Sequence, residues 1–474
     1  MPWLNLFVAL LYLVNMGLAV LLVFFERRNP TTTWLWLMVL LFLPIIGFVL
    51  YLFIGQDLRK QKIFAKKQVS DHMQSLACPL SQQSTPPTEV LLNRDVIRFH
   101  QSGSRSHLTT DNAVTIYDDG KEKFAALKAA IAGARQFVHL EYYIIRNDKL
   151  GREILALLTK KAATGIAVRV LYDGMGGIRL PKNFFRELIA AGGQVACFFP
   201  PFIPYLNLRV NYRNHRKICV VDGDIAFIGG FNIGDEYLGL STRFGYWRDT
   251  HLSIRGGAVN CLNLRFMADW QFASREEKDL DSGWFPAQQP AGNTSIQIVS
   301  SGPDHKWSPV RDGYMKLINN AQRRISIQTP YFIPDDSILA ALRVAALSGV
   351  DVRIMIPNKP DHPFIYWATL SHIGTLLKAG VRCYTYEKGF IHSKVVAVDS
   401  SVASVGTANM DIRSFEMNFE INAFIYDSAV CSELEAQFDR DIADSSELTL
   451  ERYQKLPLKV KFKESVSRLL SPLL

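Results

Sequence analysis

No two of the six cysteines in this chain stand close enough in sequence to form a chelating pair. Cys78, Cys197, Cys219, Cys261, Cys383 and Cys431 are scattered through apolar segments, with no CxxC among them. That spacing argues against a disulfide framework and a cysteine zinc site, and it reads as buried thiols in a reducing compartment. HExxH, EF-hand and Walker patterns are also missing, so the expected chemistry uses no metal and no other cofactor. Acidic residues are the minority, 44 against 53 Lys and Arg, which leaves a formal charge of +9. A surplus of that sign suits a polyanionic partner, either nucleic acid or an anionic membrane surface, or it serves solubility alone. Apolar residues are abundant: 48% hydrophobic and 11% aromatic over 474 residues. That excludes a disordered chain and exceeds what one ordinary domain needs.

Charge is absent altogether from two stretches near the N-terminus, residues 3–25 and 34–54. Each is long enough to cross about 30 Å of hydrocarbon as a helix. Trp3, Trp34 and Trp36 lie at their starts, where an interfacial ring is favourable. The link "ERRNPTTT" is short, so the pair is expected to form a hairpin. A cleaved signal peptide fits poorly, because the basic n-region and the small-residue cleavage site are both lacking. The link carries Arg27 and Arg28, whereas Arg59, Lys60, Lys62, Lys66 and Lys67 follow the second stretch. The excess of positive charge places both chain ends on the cytoplasmic side. Residues 69–93 are polar and rich in Pro, Ser and Gln, the composition of a tether. A second composition shift at 276–295 divides the remainder into two parts of similar length.

Those two parts repeat each other. "RNHRKICVVD" places His215, Lys217 and Asp222 at offsets 0, +2 and +7, and "IHSKVVAVD" places His392, Lys394 and Asp399 at the same offsets. Asn232 in "GGFN" and Asn409 in "GTAN" each follow their histidine by 17 residues. Upstream, "GIAVRVLYD" mirrors "GVDVRIMIP", and "ARQFVHLEYY" mirrors "AQRRISIQTP", pairing Glu141 with Gln328. One such triplet would read as a buried, hydrogen-bonded histidine. Two, with matched asparagines and matched strands, read as a duplicated site. Each part reads helix, strand, helix, strand, tight turn, strand, which implies layered α/β sheets.

Strand geometry places residues i and i+2 on one face, so each histidine shares a face with its lysine. If the two parts pack about a pseudo-twofold axis, two imidazoles and two ammonium groups surround one anionic centre. That set suits a phosphodiester. Lysines and asparagines would bind the non-bridging oxygens, one histidine would attack phosphorus, and the other would protonate the leaving alcohol. Asp222 and Asp399 either orient the histidines or serve as turn residues. His72, His100, His107, His139, His305 and His362 have no comparable setting.

The paired HxKxxxxD motifs, with Gly-rich turns and Asn following, resemble the phospholipase D superfamily. The hairpin together with "GGFNIGDEY", "YWRDTHL", "TPYFIPDD", "GTANMDIRSFEMNFEIN" and the terminal "SPLL" is similar to the bacterial cardiolipin synthases. Thr407 stands where many relatives have Ser, and a hydroxyl is kept. The resemblance implies transfer of a phosphatidyl group from one phosphatidylglycerol to another, giving cardiolipin and glycerol. It also implies His215 as nucleophile by motif order, His392 as acid and then base, and Lys217, Lys394, Asn232 and Asn409 as phosphate ligands. The near-symmetry of the motifs leaves the order of the two histidines open. Glu236 and Glu420 follow the two motifs and either bridge to the opposite site or are surface carboxylates. "CFFPPFIPYLNL" is either a lip dipping into the bilayer or a buried loop. The basic, apolar C-terminus either lies on anionic lipid or packs on the second repeat.

The expected fold class is therefore α/β: a two-helix transmembrane hairpin (1–58), a basic, polar tether (59–95), and a duplicated phospholipase D-like α-β-α layered domain with pseudo-twofold symmetry (96–285 and 286–474). The expected partners are phosphatidylglycerol and an anionic membrane surface, with no nucleic acid, since two apolar spans and the lack of aromatic-basic interleaving disfavour a nuclease. Oligomeric state is not readable. The expected location is the bacterial cytoplasmic membrane, multi-pass, with the catalytic part cytoplasmic. A phospholipase D-type hydrolase and a phosphatidylserine synthase-like transferase use the same two-histidine logic and remain alternatives.

Overall fold

The computed structural model describes residues 2–24, 30–43, 46–47, 51, 67, 88–200, 212–276, 282–359, 361–469 and 471. Arg27 and Arg28, the basic residues of 59–66, most of the tether and the proline-rich stretch from 201 to 208 lie outside them. Two compact units are present. In the N-terminal one, α1 (Pro2–Phe24) is helical over 23 uncharged residues and α2 (Pro30–Phe42) over 13. Taken over the residues described in full, no helix is long and apolar enough to cross a membrane. A spanning hairpin is thus not established by these two elements.

The second unit holds both repeats. The first runs α3 (Arg94–Gly103), β1 (Leu108–Asp119), α4 (Gly120–Gly133), β2 (Phe137–Tyr142), α5 (Lys149–Ala163), β3 (Ala167–Asp173), α6 (Arg186–Ala190), β4 (Gln194–Phe198), β5 (Arg213–Asn214), β6 (Lys217–Val221), β7 (Ile225–Gly229), β8 (Tyr246–Arg255) and α7 (Ala258–Ser274). The second runs β9 (Thr294–Ser301), α8 (Pro309–Asn320), β10 (Arg324–Gln328), β11 (Phe332–Ile333), α9 (Asp336–Leu347), β12 (Asp351–Pro357), α10 (Pro363–Leu377), β13 (Arg382–Tyr386), β14 (Gly389–Ile391), β15 (Val395–Val398), β16 (Val402–Gly406), β17 (Met410–Asp411), α11 (Ile412–Glu416), β18 (Asn418–Tyr426) and α12 (Ser428–Ala443). β19 (Ser445–Glu447), α13 (Leu450–Gln454) and α14 (Leu458–Leu469) follow.

Strand order in the first repeat is β4-β3-β2-β6-β7-β8-β1. In the second it is β13-β12-β10-β15-β16-β18-β9, the same order built from equivalent strands. An antiparallel pairing of β1 with β9 joins the two sheets. The central strands, "KICVV" and "VVAV", are buried along their whole length, as expected of β-branched runs covered on both faces. Helices cover the outer face of each sheet. The inner faces share one core, Ile218, Val220, Ile228 and Leu252 with Val395, Val405, Ile421 and Ile425, into which α7 and α12 also pack. The layered α/β expectation agrees with this arrangement. One boundary differs from it: Val90, Val96 and Ile97, from the end of the tether and the start of the first repeat, pack into the second repeat's core.

The motif aspartates lie at the opposite ends of their strands from the motif histidines. Asp222 and Asp399 lie at the far ends of β6 and β15, each opening a three-residue turn with positive φ, 55° and 53°. The Asp222 carboxylate accepts the backbone N–H groups of Arg135, Gln136 and Phe137 at 2.7–2.8 Å. Asp399 does the same for Gln322, Arg323 and Arg324. Each therefore fastens the loop before β2 or β10 to the adjacent hairpin, and the turn-residue reading holds. Removing three charge-assisted hydrogen bonds in Asp222→Ala should cost about 1–3 kcal/mol. Asp222→Asn keeps an acceptor and tolerates positive φ, so it should lose less. Thermal unfolding of the purified variants should rank them in that order, with turnover of the folded protein near wild type.

Candidate active site

Each histidine is delivered by a short strand that pairs with the opposite repeat. β5 runs parallel to β18, with Arg213 opposite Asn418 and Asn214 opposite Phe419. The His215 N–H then donates to the Phe419 carbonyl at 3.0 Å. β14 runs parallel to β8 in the equivalent way, and the His392 N–H donates to the Arg248 carbonyl at 2.7 Å. Two residues on, each lysine turns back to its own histidine: Lys217 Nζ donates to the His215 carbonyl at 2.6 Å, and Lys394 Nζ donates to that of His392. All four side chains are buried or nearly so.

The side chains cross in the same sense as the strands. Glu420, on β18, lies with both carboxylate oxygens 3.0 Å from His215 Nδ1. Asp249, on β8, lies 2.7 Å from His392 Nδ1. A carboxylate only accepts, so each Nδ1 carries the proton and each Nε2 is left to react. Glu420 also accepts from the Thr407 hydroxyl at 2.5 Å and from Asn418 Nδ2 at 3.1 Å. Asp249 accepts the Thr250 N–H at 2.8 Å and Trp247 Nε1–H at 3.5 Å. Burial alone would raise both carboxyl pKa values, but the histidines and lysines outweigh it and hold Glu420 and Asp249 below the usual carboxylate range. Burial lowers the cations: Lys217 to about 7, Lys394 to about 8 and His392 to about 4, with His215 also lowered although Glu420 opposes it.

Of the two glutamates read as either bridging or surface carboxylates, Glu420 bridges to the other repeat and Glu236 does not. Glu236 accepts from Arg146 at 3.4 Å and is part-exposed. Its expected place is taken by Asp249, which sequence reasoning missed. The signal was an alignment of "YWRDTHL" with "MNFEINA", the equivalent strands β8 and β18. The partners differ in length, and so do their surroundings. Thr407 reaches Glu420 through its hydroxyl, whereas a Cβ at the matching Gly230 would lie 1.9 Å from Asp249 Oδ1. Asn232 uses both ends of its amide within the first repeat, accepting the Ile144 N–H at 3.2 Å and donating to the Tyr237 hydroxyl at 3.1 Å. It therefore holds backbone and a tyrosine hydroxyl in place, and the second hydrogen of its Nδ2 is not used by these two bonds. Asn409 is buried, and its Oδ1 has no hydrogen-bond partner among the described residues. Among those residues no cluster of three His, Cys, Asp or Glu could hold a metal ion.

A buried frame backs the two pairs. Arg216 is wholly buried; it donates to the Glu420 carbonyl at 3.1 Å and pairs with Asp269 of α7. Arg248 grips both oxygens of Asp441 on α12, and Gln328 Nε2 donates to the same carboxylate at 2.8 Å. Glu141 occupies the place of Gln328 in the first repeat. It accepts from Asn214 Nδ2 at 2.5 Å, and its pKa is pushed up to about 8, first by burial and then by the Asp269 charge. At neutral pH it is then a carboxylic acid with a proton to donate, as the Gln328 amide has. A folded pKa raised above the ordinary 4.5 contributes stability that is complete below about pH 4.5 and is lost as pH rises through about 8. Glu141→Gln should therefore remove that loss. Its Tm relative to wild type should rise between about pH 5 and pH 8 and level off above that, and calorimetry across that range would read it.

A family profile described as "Cardiolipin synthase, PLD-like domain" matches residues 127–242 and 314–442, and one described as "Phospholipase_D-nuclease N-terminal" matches 6–56. The chain is 47% identical to the major cardiolipin synthase ClsA of Bacillus subtilis, over 99% of both chains. It is 49% identical to the cardiolipin synthase of Listeria welshimeri over 98% of both, and 48% identical to that of Staphylococcus aureus over 98% of this chain and 95% of the other. Among solved structures, phosphatidylserine synthase from Haemophilus influenzae shares the fold with a TM-score of 0.62 at 16% identity, covering 80% of this chain and all of its own.

Proposed function

The chain belongs to the cardiolipin synthases of the phospholipase D superfamily, and from that premise we propose how its own residues carry the reaction. The enzyme is a phosphatidyltransferase acting on membrane phospholipid, and the donor and the acceptor are both phosphatidylglycerol. The observation that supports this most is the crossed arrangement, in which each histidine is oriented by a carboxylate of the other repeat. His215 Nε2 attacks phosphorus while the bond to the glycerol oxygen breaks. His392 gives its Nε2 proton to that oxygen, and glycerol leaves. His392 then takes the proton from a hydroxyl of the second phosphatidylglycerol, whose oxygen attacks phosphorus as the P–N bond breaks. Cardiolipin results and both histidines are restored.

Charge balance supports the assignment of a protonated acid. Lys217 and Lys394, when charged, are matched by Glu420 and Asp249. A bound phosphodiester adds one negative charge, which a proton on one imidazole offsets. The low pKa of His392 reflects burial and Lys394; the phosphate anion acts in the opposite sense. Lys217 and Lys394 hold the non-bridging oxygens, where charge develops, with Asn409 beside them.

The membrane attachment belongs to the same proposal. α1 has 23 uncharged residues, a rise of about 34 Å as a helix, and together with the second uncharged stretch it anchors the chain in the cytoplasmic membrane. The Lys and Arg excess after residue 58 keeps the catalytic unit on the cytoplasmic side.

Purified full-length protein in mixed micelles with phosphatidylglycerol and a chelator should yield cardiolipin and free glycerol by mass spectrometry. His215→Ala and His392→Ala should each lose at least about 10³-fold. Phosphatidic acid as the main product would replace the transferase by a hydrolase. Phosphatidylserine formed when serine is added would replace it by a different transferase.

A further inference from the structure

α14 packs on α10 with a polar face. Glu464 and Ser467 are buried there, and Glu464 Oε2 accepts the Tyr453 hydroxyl at 2.8 Å. Apart from the half-buried Val460, its apolar residues point the other way: Leu458 is 83% exposed, Phe462 70%, Leu469 81% and Val466 38%. At about 100° per residue these four fall within an arc of about 80°, centred opposite Val460, Glu464 and Ser467. Lys459 and Lys463 border that arc on one side, and Lys461 and Arg468 on the other. The Lys463 ammonium lies 5.0 Å over the Trp367 ring, which holds its stem along the flank. Single exposed apolar residues are ordinary on a protein surface. An apolar stripe on the outward face of a helix whose fully buried residues are a glutamate and a serine is not.

We propose that α14 is a membrane-surface helix, docked by its polar face on the catalytic unit and by its Leu458-Phe462-Val466-Leu469 stripe in an anionic phospholipid bilayer. The lysines and Arg468 stand at the height where their long side chains meet lipid phosphates while the stripe enters the acyl boundary. The same charges argue against a second copy of the chain as occupant, since pairing two such stripes would bring basic flanks together. The site is not remote from this surface. α10, which supports α14, begins two residues after Asp361, a carboxylate that accepts the Tyr331 hydroxyl and acts electrostatically on Lys394. Docking of α14 thus holds one edge of the active site at the lipid surface, whatever the N-terminal helices do.

The test uses the full chain carrying Phe462→p-benzoylphenylalanine, reconstituted in vesicles and photolysed. Phosphatidylglycerol–phosphatidylcholine vesicles should give a lipid adduct on the peptide containing position 462. Its yield should fall several-fold in phosphatidylcholine alone or at about 1 M salt, where charges are screened. A cross-link to a second chain, an absence of lipid adduct, or equal yields in neutral vesicles would each overturn the proposal. A second variant, Phe462→Asp with Leu469→Asp, should keep its turnover in detergent micelles yet need several-fold more phosphatidylglycerol in vesicles. Unchanged vesicle activity would count against it. Micellar turnover reports the catalytic reading separately, so failure of the one is distinguishable from failure of the other.

Discussion

Each motif histidine is bound to a carboxylate from the other repeat, and the strand pairing between the repeats keeps those two bonds. The strand that leads into His215 is paired with the strand that carries Glu420, and the strand that leads into His392 is paired with the one that carries Asp249. Imidazole and carboxylate are therefore brought together by backbone ladders before any side-chain preference acts. Neither repeat alone holds a complete pair. The shared core between the inner faces of the two sheets serves stability and site assembly at once, because loosening it would separate both histidines from their partners.

Burying two lysines, two histidines and two carboxylates together is costly unless the charges are matched. Here they are matched in number, and each is further hydrogen-bonded: the lysines to histidine carbonyls, Glu420 to Thr407 and Asn418, Asp249 to Thr250 and Trp247. Burial then works on what is left. It lowers the lysines toward the range in which protons move near neutral pH and favours the neutral form of both imidazoles. The repeats are alike in strand order and unlike in chemistry. Asp249 with Gly230 faces Glu420 with Thr407, and Glu141 stands where the other repeat has Gln328. A reaction that needs one nucleophile and one acid suits two sites that share a scaffold and differ in their side chains.

Much of this was legible from residue spacing. His215, Lys217, His392 and Lys394 announce themselves because their offsets recur together with Asn232 and Asn409, and the strand alternation puts each pair on one face. The motif aspartates were misleading for a physical reason: an Asp after a strand fits both an orienting carboxylate and a turn, and only the three N–H donors around Asp222 and Asp399 decide between them. Asp249 was hidden because a single acidic residue inside "YWRDTHL" has no periodic signal, and the length difference from Glu420 obscures the equivalence. For Glu236 and Glu420 bridging and surface roles stayed equally open, because sequence order does not reveal which strand crosses to the other repeat. The packing of residues 88–103 on the second repeat was equally out of reach, since only tertiary contacts bring Val96 and Ile97 to that core.

The crossed pairing is most directly tested by ¹⁵N NMR of the histidine-labelled, full-length protein, with His215 and His392 assigned by substitution. Both should show a protonated Nδ1 and an unprotonated Nε2 at pH 7. Glu420→Gln should shift the His215 signals and leave those of His392 nearly in place, and Asp249→Asn should do the reverse. If Glu420→Gln moved His392, or if neither substitution moved the histidine of the opposite repeat, the composite site described above would be contradicted.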